Sequence, residues 1–193
     1  MQLVVGTLST WSSRAWICSQ LAGVKLDLIW IDLSKSGYKT EVLKYAPTGL
    51  VPALLDDGLV VHDSLAIVEY LNELSGGALY PVDSSQRAIA RSLCMEMHAG
   101  FMNLRSQCPF SLGAVAPLVD INDSIQIEIS RVEAIFSQAK LPFMFEQAGA
   151  VDAFYAILAY RLQSYGIVLE GKAGEYQQSL LEWPLLQQAI KLR

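Results

Sequence analysis

Residues 46–55 read APTGLVPALL, and residues 62–67 read HDSLAI. Between and across them, ALL at 53–55, DDG at 56–58 and LVV at 59–61 spell a hairpin with Asp57-Gly58 as its tight turn. Proline has no N–H to give to a sheet, so Pro52 belongs at the first residue of the strand, where a cis peptide bond turns the backbone of Val51 outward. The amide and carbonyl of Val51 are then available to a peptide-like ligand that pairs as an added strand does. Ser64 opens a helix running to about Leu74. Asp63 and Ser64 therefore stand at a helix N-terminus whose amide ends favour a carboxylate; the Ser64 hydroxyl adds a donor, and Asp63 suits an ammonium group. A ligand carrying both an α-amine and an α-carboxylate fits these residues.

Working outward, Gln2 to Gly6 reads as a strand and Arg14 to Ala22 as a helix closed by Gly23, with Ala15, Ile17, Cys18 and Leu21 on its inner side. Leu26 to Leu33 alternates well enough for a second strand. Lys39 to Tyr45 makes a short helix that stops before Pro47. Residues 1–76 thus run βαβαββα, and residues 77–84 carry the turn chemistry of a linker. Residues 85–193 are helical throughout: one long helix over Ser84 to Ser106, one over Asp123 to Gln138, and a nearly all-apolar one from Asp152 to Tyr165 that reads as the buried centre. The expected class is α+β, with a helical bundle following the mixed domain.

Composition narrows the function. With 193 residues, 52% hydrophobic and 17% charged, the chain buries a full core, and disorder is excluded. Apolar runs are short, and the N-terminus lacks a basic head before a long apolar stretch, so neither a membrane span nor a signal peptide is expected. A cytoplasmic protein fits. Cys18, Cys94 and Cys108 are odd in number and widely spaced, which supports neither a disulfide framework nor a zinc site, and His62 and His98 have no metal-ligand neighbours. A net charge of −5 with no basic cluster disfavours nucleic acid.

VPAL at 51–54 followed by DSLAI at 63–67, after the S-x-x-S-S-R of residues 9–14, resembles the glutathione S-transferase family. The Tyr80-Pro81 linker, EMHAGFMNLR at 96–105 and DAFYA at 152–156 are similar to bacterial members with an active-site serine, so the resemblance spans nearly the whole chain. It implies a thioredoxin-like domain that binds glutathione as co-substrate, a helical domain that supplies the electrophile pocket, and a homodimer. Val51, Pro52, Asp63 and Ser64 become the glutathione contacts.

By the same resemblance, Ser9 stands where serine-type enzymes place the hydroxyl that hydrogen-bonds the glutathione sulfur. That bond and the positive end of a helix starting near Ser12 would both favour the thiolate, which is then the nucleophile. Ser12 competes, one helical turn further on, and also reads as a plain N-cap. Ser64 has the same plain reading. Arg14 is a charge at a helix start or one of a buried pair with an acid. The second-substrate pocket is expected around Trp11, Met102, Arg105 and Cys108, although Cys108 also reads as packing.

Three departures from the family pattern stand out. Leu50 replaces a Lys or Arg common before the Val-Pro pair, and residues 109–113 lack a basic residue found near the pocket in bacterial relatives. Gly149 replaces the Ser or Thr that opens the buried helix in a capping box with Asp152, a loss of a few tenths of a kcal/mol, order of magnitude. Transfer of glutathione to a small electrophile is the leading reading. A zeta-like cis-trans isomerase and a non-catalytic binding protein are the alternatives.

Overall fold

Strand β1 (Gln2–Gly6) sends its side chains alternately to two covered faces. Leu3 and Val5 join the core under the helices on one side, while Val4 packs with Ile31, Val42, Ala46 and Ala53 on the other. Burial on both faces is why the strand reads as an unbroken LVV. In the computed structural model, which describes residues 1–192, β1 lies parallel to β2 (Asp27–Ile31) and antiparallel to β3 (Ala53–Asp56), and β3 pairs antiparallel with β4 (Leu59–His62). The sheet order is β2-β1-β3-β4. Asp57 (φ 43°) and Gly58 (φ 88°) both take left-handed conformations at the hairpin tip, as a two-residue primed turn demands.

Three helices flank the sheet: α1 (Thr10–Leu21), α2 (Tyr38–Leu43) and α3 (Ser64–Leu74). The first begins four residues earlier than expected. Ser9, extended at φ −78° and ψ 107°, is its N-cap, and the Ser9 Oγ accepts from the Ser12 amide at 3.3 Å. Ser12 is therefore not a cap. The whole is a thioredoxin-like βαβαββα domain followed by an all-helical one.

The helical part comprises α4 (Ser84–Ala99), α5 (Met102–Gln107), α6 (Asp123–Phe136), α7 (Ala150–Ser164), α8 (Gly171–Glu182) and α9 (Pro184–Ala189). Residue 193, the end of the expected helical domain, lies outside the described residues. The single helix expected over 84–106 is broken. Phe101 turns left-handed (φ 57°) to bury its ring edge-on to Tyr155, centroids 6.3 Å apart, and α5 leaves in a new direction. Every residue from Ala150 to Ala159 of α7 is buried, and one apolar cluster runs from β1 through α1, α3 and α7 to α9. Among the described residues no helix is long and apolar enough to cross a membrane.

Candidate functional site

At the mouth between sheet and helices, α3 begins with Asp63, held at φ 73° and ψ 132°. A non-glycine residue at positive φ costs of order 1–3 kcal/mol and persists where its surroundings fix it. Here Oδ1 accepts from the Leu65 amide at 2.8 Å and the Ala66 amide at 3.4 Å, and Oδ2 lies 3.2 Å from His98 Nε2. Asp63 is thus the cap of α3, and Ser64 is its first helical residue rather than the cap. Ser64 is buried, and its Oγ has no hydrogen-bond partner among the described residues.

His98 reaches this point from α4. Its ring leans on Trp11, centroids 5.0 Å apart, and its Nδ1 is buried without a partner. Val51 precedes Pro52 through a cis peptide bond, just outside the β3 ladder, and Pro52 is buried. Trp11, Leu50, Val51, Pro52, Asp63, Ser64 and His98 line one cleft of about 420 Å³, with Thr48 and His62 completing its wall. Two buried polar atoms without partners, Ser64 Oγ and His98 Nδ1, belong to residues of that one cleft.

The two serines of the first loop line a different cavity from Trp11. Ser9 and Ser12 line a narrow cavity of about 30 Å³ with Trp30, Leu112 and Ile190. Ser12 is 3% exposed, and its Oγ accepts from the Gly6 amide at 3.2 Å, tying α1 to β1. Ser9 is only partly buried and caps α1.

Arg14 is buried but has no acid partner, which corrects the reading of it as half of an ion pair. Its Nε donates to the Phe154 carbonyl at 3.1 Å, its Nη1 to Thr10 Oγ1 at 3.2 Å, and its guanidinium carbon lies 4.3 Å from the Trp11 ring centroid. Burial, then Arg161 and Arg105, lower its pKa to about 9. Arg105 also lies over Trp11, 4.8 Å from its centroid, with Nη1 3.4 Å from the sulfur of exposed Met102. Trp11, Met102 and Arg105 therefore come together, and of the three Trp11 lines the cleft. Cys108 does not join them: it is 0% exposed, burial pushes its thiol up, and its carbonyl accepts from Arg161.

Sequence reasoning weighed His98 only as a metal ligand and set it aside. Its partners Asp63 and Trp11 are each distant in the chain, so no local spacing announces the group. The EMHAGFMNLR stretch that carries the resemblance contains it, and that was its one signal.

Comparison with known proteins finds the same fold. Residues 8–74 match the model of the glutathione S-transferase N-terminal domain. A rice protein, IN2-1 homolog A from Oryza sativa subsp. japonica, is 28% identical over 163 residues, covering 80% of this chain and 62% of its own length. The chain thus spans less than two thirds of that relative. Maleylacetoacetate isomerase from Rattus norvegicus is 34% identical over 102 residues, 51% of this chain and 47% of the relative. Among solved structures, a glutathione transferase homolog from Burkholderia gl BGR1 with bound glutathione superposes with a TM-score of 0.77 at 23% identity, over 98% of this chain and 96% of the other.

Proposed function

We propose that the chain, whose residues 8–74 match the glutathione S-transferase N-terminal domain, is a member of that family that binds glutathione in the Val51–Ser64 cleft and activates the thiolate for attack on a small hydrophobic electrophile. The observation that carries this reading is the buried Ser64 Oγ without a partner at the head of α3. A hydroxyl left so costs stability until a ligand completes it. The α-carboxylate of the γ-glutamyl group accepts from that hydroxyl and from the Ser64 amide, the Leu65 and Ala66 amides being held by Asp63 Oδ1; its ammonium meets Asp63, and Val51 pairs with the cysteinyl main chain.

We assign the sulfur to Ser9, two residues before Trp11 of the cleft, although its own side chain lines the separate narrow cavity. Its Oγ already accepts from the Ser12 amide, and a hydroxyl still has one proton to give. Ser12 is the weaker candidate because its oxygen serves the Gly6 amide in a sealed position. The N-terminus of α1 and the buried Arg14 cation add positive potential that favours thiolate over thiol. The thiolate forms a carbon–sulfur bond with the electrophile while the leaving group departs with its electron pair, so no protein base is needed at that step.

Calorimetry of reduced glutathione against the wild type and Ser64→Ala tests the site. Weakened binding in the variant supports it, and no binding by the wild type at millimolar glutathione overturns it in favour of a non-catalytic binding protein. A thiolate-absorbance titration of the Ser9→Ala complex tests the sulfur contact: an unchanged bound-thiol pKa removes Ser9 from the role. The named relatives favour one second reading, a glutathione-dependent cis-trans isomerase. Turnover without net glutathione consumption separates the two. A cytoplasmic homodimer completes the proposal; the three unbridged cysteines fit a reducing compartment, and sedimentation tests the assembly.

A further inference from the structure

Arg14 of α1 and Arg105 of α5 converge on Trp11, a wall residue of the cleft, and Arg161 of α7 joins them. Arg14 and Arg105 both lie over the Trp11 ring, and Arg161 Nη1 donates to the carbonyls of Arg105, at 3.3 Å, and Cys108. Among the described residues none of the three has a carboxylate within ion-pair distance, whereas Arg91 and Arg131 find Glu69 at 3.0 Å and Glu96 at 2.6 Å. Glu128 attracts Arg105 from further off, with its own oxygens engaged by the amides of Asn103 and Leu104. Three like charges are therefore gathered with no acid among the described residues in ion-pair contact with any of them. An anion placed among them relieves their repulsion.

Only one of the three guanidinium groups is open to a ligand. Arg14 and Arg161 are buried and donate to main-chain carbonyls, with Thr10 as a further partner of Arg14. Arg105 is half-buried, and the contacts of its guanidinium all run through Nη1, to the Gly100 carbonyl at 3.5 Å and to Met102 Sδ at 3.4 Å. Its Nε and Nη2 present the fork that a carboxylate takes bidentately. Trp11 lies beneath it and lines the glutathione cleft at the same time.

We propose that the second substrate is an anionic electrophile: a small apolar body bearing a carboxylate, which seats on the Arg105 fork while its reactive carbon lies over Trp11 toward the thiolate. This rests on the glutathione reading above and names its substrate class. The glycyl carboxylate of glutathione is the other carboxylate that the fork could receive, and the test separates the two.

The probes are a chloronitrobenzoate and the matching chloronitrobenzamide, alike in shape and electrophilic carbon but different in charge. Their binding is measured by calorimetry on protein saturated with an S-methylated glutathione, so that no reaction intervenes. Glutathione affinity is measured separately. The wild type should hold the benzoate about tenfold more tightly than the amide, and Arg105→Met should erase that preference, with glutathione affinity changed less than about threefold. Arg105→Lys should restore part of it, which guards against a merely structural effect. Equal affinity for the two probes, or failure to bind either, overturns the proposal. Loss of glutathione affinity in Arg105→Met without loss of probe preference also overturns it and gives the fork to the glycyl carboxylate. Absence of glutathione binding in the wild type overturns the parent reading instead.

Discussion

Ser64 separates binding from stability more cleanly than any other residue of the cleft. Its hydroxyl makes no bond among the described residues, so Ser64→Ala breaks nothing in the folded protein. The ligand-free variant should unfold no earlier than the wild type in urea and gain up to about 1–3 kcal/mol by losing the unpartnered hydroxyl, while its glutathione affinity falls about tenfold or more. Ser12 shows the opposite profile: removing its Oγ strands the buried Gly6 amide, and Ser12→Ala should cost about 1–3 kcal/mol of stability with little effect on a bound thiol's pKa. At the same scale, burial raises the thiols of Cys18, Cys94 and Cys108, and reactivity follows the thiolate. Because each pKa lies above its ordinary value, mildly alkaline pH leaves all three protonated. Ellman's reagent should therefore find no fast-reacting thiol in the native protein and three after unfolding; a fast thiol assigned to Cys108 would place that sulfur in the pocket. The two serines of the first loop could not be told apart in the sequence, because a Ser-x-x-Ser spacing serves equally a cap with its receiving amide or a hydroxyl one turn into a helix.

Helix ends decide how the elements meet, and Gly149 is the instructive case. The expectation was a slightly weakened cap relative to serine. Instead, a Cβ at this position would stand 2.8 Å from the Leu79 carbonyl, which accepts from the Ala150 amide at 2.9 Å and so fastens the linker to α7. Glycine is there for space. Gly149→Ser should lose about 1–3 kcal/mol in a urea titration, as overpacking does, rather than gain a few tenths. Asp152 carries the half of the box that remains: its oxygens accept from the Gly149 amide at 2.8 Å, the Met144 amide at 2.9 Å and the Tyr176 hydroxyl at 2.6 Å. Such close approaches leave no trace in periodicity, whereas the hairpin of residues 53–62 was legible because Asp-Gly and two short apolar runs state both turn and strands locally. The break after α4 was illegible for a related reason. A single glycine is tolerated within a helix, so Gly100 does not by itself announce the end; there the chain turns extended (φ −105°, ψ −165°) where a Cβ would stand 2.7 Å from the Glu96 carbonyl, and Phe101 then turns to meet Tyr155, fifty-odd residues away in the chain.

For the molecule as a whole, the boundary near residue 80 divides the chain by secondary structure without dividing its core. Ala15, Ile17 and Cys18 on the inner side of α1 belong to the same buried cluster as Phe154, Leu158 and Leu186, and Arg14 crosses from α1 to the Phe154 carbonyl. The turn residues that announce a linker in the sequence report the local path of the chain and carry no information about what covers the inner face of α1. If α7 were removed, that apolar face and the Arg14 guanidinium would lose their cover together, a cost that a four-stranded sheet with three helices has little surplus to absorb. Unfolding should accordingly be a single transition. Trp11, Trp16 and Trp30 report on the thioredoxin-like part and Trp183 on the helical part, so fluorescence of single-tryptophan variants and far-ultraviolet circular dichroism should share one urea midpoint. A fragment ending at residue 76 should expose its apolar face, bind a hydrophobic dye and lack a cooperative melt. Two separated midpoints, or a fragment that melts cooperatively, would show that the interface is an ordinary contact between autonomous domains. In that case Arg14 would be free to act on the thiolate alone, and Arg14→Met would lower activity while leaving the urea midpoint where it was.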